Sequence, residues 1–222
     1  QQALQIFDKA VNAAMSISDD SSKALTLMSI DLTFSDIPVE LAKAGQFDDA
    51  INVAKSISDG FYKAEAFSSI ASELAKAGQF DKAVSVAGSI SDDSEKAWAL
   101  RDIAVELAKS GQTQKALQIF NDAVNVAGSI SDDSDKAWAL SSIASELAKA
   151  GQTQQALQIF DDALNVAGSI SSDYYKAEAL KDIAVELAKA GQFDDAINLI
   201  NKKTDPYFTA YILISIHQGY IE

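Results

Sequence analysis

The chain has 222 residues, with 18 Lys and Arg against 32 Asp and Glu and a formal net charge of −14. That balance repels phosphate backbones and anionic lipid, and it argues against nucleic acid and membrane surfaces as partners. There is no cysteine, so disulfides and thiolate metal sites are excluded while the redox compartment stays open. The longest apolar stretch, Ala210 to Ile216, is far short of the roughly 20 residues that span a bilayer. Opening at Gln1 rather than Met, with no targeting segment in view, the chain reads as a processed form or a fragment, and a cytoplasmic location is the expectation.

The hexapeptide Leu-Ala-Lys-Ala-Gly-Gln recurs five times, once with Ser110 for its second Ala, and places glycines at Gly45, Gly78, Gly111, Gly151 and Gly191. Spacings of 33, 33, 40 and 40 residues define a tandem array read as one repeat domain over 1–222, with units at about 1–46, 47–79, 80–112, 113–152, 153–192 and 193–222.

In the first unit Pro38 stands where later copies have Ala71, Ala104, Ala144 and Ala184, small residues at a site where two helix backbones are expected to approach. About seven residues, Asp31 to Ile37, are added upstream. Because proline cannot donate its helical hydrogen bond, a kink or break is expected near Thr33 to Asp36, with Ser35 as a new cap.

The following units share one plan. Polar clusters such as Ser91-Asp92-Asp93-Ser94 and Ser131-Asp132-Asp133-Ser134 suit a helix end followed by an N-cap. After the cluster, Ala97, Leu100, Ile103, Ala104, Leu107 and Ala108 recur at helical spacing and predict an amphipathic helix before the glycine. The segment Phe80 to Ile90 places Phe80, Ala83, Val84, Ala87 and Ile90 on one side by the same rule and predicts a second helix. With glycine as a left-handed C-cap between them, the two pack as an antiparallel hairpin. One hairpin cannot cover its own apolar stripes, so neighbours stack and the fold is expected to be an all-α solenoid.

In the 40-residue units seven extra residues, Thr113 to Ile119, precede Phe120. Two helical turns use about 7.2 residues, so the insertion lengthens the second helix by about 10 Å and keeps its apolar face in phase. Gly88, Gly128 and Gly168 fall inside second helices at a site that elsewhere holds Lys55 or Met15, which places that site in solvent. The last unit carries His217 at the small-residue site. Its segment Tyr207 to Ile221 is more apolar than its predecessors, so either the array continues or this hairpin packs on another copy.

Positions that vary between copies while sharing one face are where binding is written. Aligned on the glycines, the first helices vary at Glu65, Ser68, Ser69 and Ser72; at Trp98, Arg101, Asp102 and Val105; at Trp138, Ser141, Ser142 and Ser145; and at Glu178, Lys181, Asp182 and Val185. Each set has spacing i, i+3, i+4, i+7 and forms a stripe beside the buried one, expected to run on from hairpin to hairpin. Trp98 and Trp138 are either anchors for a partner or covers for the seams between repeats. The pairs Phe61-Tyr62, Tyr174-Tyr175 and Tyr207-Phe208 are expected to close the ends of the hairpins.

Catalytic chemistry has little to draw on. His217 is the single histidine and there is no cysteine, so no nucleophile and base set is available and an enzyme is not expected. Acidic turns such as Asp132-Asp133-Ser134-Asp135 lack the internal Gly and the twelfth-position Glu of an EF-hand, and N-capping explains them better. No cofactor and no metal are expected.

Leu147-Ala148-Lys149-Ala150-Gly151-Gln152 followed by Ala156, and Ala44-Gly45-Gln46-Phe47-Asp48-Asp49-Ala50, resemble the turn signature of the tetratricopeptide repeat (TPR). Ala104, Ala144 and Ala184 match that family's small residue in its first helix, and Ala50 and Ala83 match the one early in its second. The chain departs in its 40-residue units, in Leu for the first-helix aromatic, and in lacking the terminal Pro except at Pro206. The near identity of the copies also resembles recently amplified bacterial arrays or a consensus design. The resemblance implies a right-handed solenoid whose first helices line a concave side and bind extended peptides or partner proteins. Two functions are therefore carried forward: a non-enzymatic scaffold binding a basic or neutral protein segment through the stripe, and a self-associating structural repeat joined through its C-terminal hairpin, a homo-oligomer without a dedicated ligand.

Overall fold

The computed structural model describes residues 36–194 continuously, together with positions 9, 13, 16–18, 197, 198 and 214. Among these residues there are nine α-helices and no strand: α1 Asp36–Lys43, α2 Phe47–Ser56, α3 Gly60–Lys76, α4 Phe80–Gly88, α5 Asp93–Lys109, α6 Thr113–Ser129, α7 Asp133–Lys149, α8 Thr153–Ser169 and α9 Asp173–Lys189. The chain divides into two compact units, Gln1–Leu107 and Ala108–Glu222.

Each residue of the recurrent hexapeptide has a local task. All five turn glycines have φ between 75° and 82°, the left-handed region that an L side chain rarely enters. In the turn after α3, Gly78 N–H donates to Ala75 O at 2.9 Å and Gln79 N–H to Leu74 O at 2.9 Å. This crossed pair satisfies carbonyls the helix end would otherwise leave orphaned. The motif's lysine pairs one turn back with a glutamate, as Lys43 with Glu40, Lys76 with Glu73, Lys149 with Glu146 and Lys189 with Glu186, and its positive charge suits the helix C-terminus. Gln79 O then accepts from Ala83 N–H at 2.9 Å and opens the next helix.

The acidic clusters are caps. Asp59 accepts from the N–H groups of Phe61 and Tyr62, Asp132 from those of Ser134 and Asp135, and Asp92 from that of Glu95, each satisfying a first-turn donor.

In the first unit α1 packs on α2 and α3, and α3 packs on α4. Pro38 is buried at the third position of α1, in the first turn, where an N–H has no intrahelical acceptor to lose. Thr33 to Ser35 lie outside the described residues, as do Met15, His217, Pro206 and the pair Tyr207-Phe208. In the second unit α7 packs on α6, α8 and α9. Ala71, Ala104, Ala144 and Ala184 are fully buried at the small-residue site.

The insertion does lengthen the second helix: α6 and α8 have 17 residues where α2 has 10 and α4 has 9. Ala116, Ile119, Phe120, Ala123 and Ala127 stay buried along one face of α6. In α4 the buried face is Ala83, Val86 and Ala87, while Phe80 and Val84 are half-buried. Gly88, Gly128 and Gly168 are exposed, and a Cβ at any of them would meet nothing within 4 Å.

Candidate protein-binding surface

Each unit presents its own surface on the first helices. In the first unit α3 contributes Glu65, exposed, with Ser69 and Ser72 half-buried, and α5 contributes Trp98, Arg101, Asp102 and Val105, all half-buried. Ser72 Oγ donates to Asp102 Oδ2 at 2.8 Å across the two helices. Arg101 donates to Asp102 Oδ1 through Nη2 at 2.8 Å and Nε at 3.1 Å. Ser68 is close to fully buried.

In the second unit Trp138 of α7 is 42% exposed, Ser142 is half-buried, and Glu178, Lys181, Asp182 and Val185 of α9 are half-buried. Lys181 Nζ is paired with Glu178 and with Asp182. Burial works against the lysine's charge, but these two carboxylates outweigh it and its pKa is raised. Ser141 and Ser145 depart from the expected stripe, being fully enclosed, so neither meets a partner. Ser141 Oγ donates to Trp138 O at 2.9 Å within its own helix.

Of the two described aromatic pairs, three members stand out into solvent rather than closing the hairpin ends, while Tyr62 is half-buried. Phe61, Tyr174 and Tyr175 are 64%, 66% and 59% exposed, and each pair stacks edge to face within itself at 5.5 Å between ring centroids. The caps at Asp59 and Ser172 start the helices just before these residues. These aromatics therefore lie on the first turn of their helices.

One residue of this surface lies outside the four-position stripes. Glu95 on α5 is buried to 9% exposure and is hydrogen-bonded to Ser68 of α3. Burial pushes its carboxyl above the ordinary glutamate value; the Ser68 bond opposes this, and the charges of Glu65 and Asp92 add to it. A signal was present in the sequence: Glu95 precedes Trp98 by three residues and so extends the same stripe by one turn.

Among the described residues no helix is long and apolar enough to cross a membrane, and no three potential ligands converge on a metal position. Antiparallel hairpins closed by left-handed glycines and packed through small residues define a TPR-like helical repeat fold. No family model and no curated protein matches the chain. Among solved structures it is similar to Ton1535 of Thermococcus onnurineus NA1, at 23% identity and a TM-score of 0.57, over 84% of this chain and 57% of that one. The chain thus spans little more than half of that protein's length. It is also similar to a candidate kinesin light chain of Podosopora anserina built of nearly identical TPR-like repeats, at 14% identity and a TM-score of 0.46, over 82% of this chain and 93% of that one. A single-substitution form of the same protein gives 12% and 0.46, over 84% and 95%.

Proposed function

We propose that the chain is a non-enzymatic scaffold that binds a protein or peptide segment along its first helices, on what the TPR-like architecture makes the concave side. Trp138 carries this reading. An indole 42% exposed on a helix that otherwise buries its large apolar groups is surface poised for desolvation, and tryptophan is among the residues most enriched in binding hot spots. Trp98 holds the equivalent place on α5. In the first unit Glu65, Ser69, Ser72, Arg101, Asp102 and Val105 then belong to the surface that carries Trp98, with Ser68 as a small spacer; in the second, Ser142, Glu178, Lys181, Asp182 and Val185 belong to the surface that carries Trp138, with Ser141 and Ser145 as small spacers.

The Trp98→Ala, Trp138→Ala double variant tests this reading by affinity capture and mass spectrometry against the parent chain. Partners held by the parent are expected to be lost; their full retention would place the binding surface elsewhere. A second reading, lateral self-association, draws on Ile197 and Ile214, both exposed at 44% and 56%. It predicts that truncation after Lys203 lowers the mass measured by light scattering, and an unchanged mass removes it.

A further inference from the structure

The two units treat the same place on their second helices differently. Four residues after Gly78, Lys82 of α4 closes on Asp48 of α2 at 2.6 Å. Four residues after Gly151, Gln155 of α8 donates through Nε2 to Asn121 Oδ1 of α6 at 2.6 Å. A pair of carboxamides thus stands where the first unit has an ion pair. Once that bond is made, Asn121 still holds the N–H donors of its Nδ2, and Gln155 the lone pairs of its Oε1. A donor and an acceptor side by side are the complement of one peptide group, which carries one C=O and one N–H.

The amide pair lies in a groove of about 540 Å³ whose other lining residues are Gln114, Lys115, Leu117 and Gln118. These four fall within the insertion Thr113 to Ile119, so the groove is a product of the longer second helix. Gln114, Gln118 and Asn121 are exposed at spacing i, i+4, i+7, on one face of α6. They span seven residues, about 10 Å of helix, which is the length of three residues of extended chain. Lys115, also exposed, adds an ammonium with three donors. No aromatic ring is among the lining residues, so a ligand that binds by stacking has no platform. A helical segment has spent its N–H and C=O groups on its own backbone, whereas an extended one has them to offer. Lys115 disfavours a basic segment, and the net charge of −14 an acidic one.

We propose that this groove on α6 and α8 is a second interaction site, which takes the main chain of an extended, uncharged partner segment. It shares no residue with the surface of the first helices and does not depend on it.

The test is a titration of the full, nitrogen-15-labelled chain with a blocked, uncharged peptide of β-branched residues, acetyl-Thr-Thr-Val-Thr-Thr-Val-amide, which favours extended backbone. The side-chain NH2 resonances of Gln114, Gln118, Asn121 and Gln155 should shift saturably. The same peptide N-methylated at every residue keeps its side chains and carbonyls but loses its N–H donors, and should bind at least about tenfold more weakly. The Gln114→Ala, Gln118→Ala double variant should also weaken binding about tenfold. Gln154→Ala, Gln158→Ala, exposed at the equivalent positions of α8 and outside the groove, should bind as the parent does. Unmoved NH2 resonances, undiminished binding of the N-methylated peptide, or equal weakening in both double variants overturns the site.

Discussion

Ser72 Oγ reaches across from α3 to donate to Asp102 Oδ2 on α5 at 2.8 Å, joining residues of adjacent copies that no within-copy pattern relates. The same aspartate takes two further donors from Arg101, so the bond is one edge of a small charged network. Ser72→Ala removes a charge-assisted bond at a half-buried place and is expected to lower stability by about 1 kcal/mol. A thermal midpoint about 2–4 °C lower would match. A double-mutant cycle with Asp102→Ala should return a coupling energy clearly above zero; additive effects would mean that the contact contributes nothing.

Ser145 occupies the position of Ser72 two copies later, and the outcome there is opposite. Its hydroxyl is buried at 1% exposure without a hydrogen-bond partner, whereas Val105 and Val185 fill the same place in the intervening and following copies. A buried unsatisfied hydroxyl costs about 1–3 kcal/mol. Ser145→Ala is therefore expected to raise stability in chemical denaturation, with Ser145→Val doing at least as well. A loss of stability in the Ala variant would show that the hydroxyl is satisfied in solution.

Glu95 supplies a pH dependence whose sign follows from its burial. Its folded-state pKa is raised, so the folded chain holds this proton more tightly than the unfolded one. The stabilising contribution is complete below the ordinary glutamate value and is lost as pH rises through the raised one. Glu95→Gln keeps a partner for Ser68 and removes the charge. The variant is expected to melt higher than the parent at neutral pH, with the gap closing as pH falls through that window. A gap that is constant with pH would assign the effect to packing instead.

Glycine has two different roles in this chain, and substitution separates them. Gly128 and Gly168 lie near the C-terminal ends of α6 and α8 in open space, so Ala there is expected to stabilise by up to about 1 kcal/mol each. Gly151, at φ 82°, is strained by any side chain, and Gly151→Ala is expected to destabilise by about 1 kcal/mol or more. Urea midpoints that move in the same direction for both kinds of substitution would contradict this division.

Local chemistry was legible in the residues alone. A left-handed turn needs Gly151; an exposed first-turn donor needs a cap such as Asp132; two added helical turns keep Phe120 and Phe160 in the core because seven residues almost complete two turns. Each of these depends on neighbours within a few positions, and the hexapeptide recurs five times. Which members of the variable stripe reach solvent was decided by tertiary structure. Ser141 and Ser142 are adjacent and alike in sequence, yet only the first is fully enclosed. The Ser72 bond to Asp102 likewise follows from the register of α5 against α3. Register between helices is set by how side chains far apart in the chain interlock, and a copy aligned only with its own repeats does not contain that information.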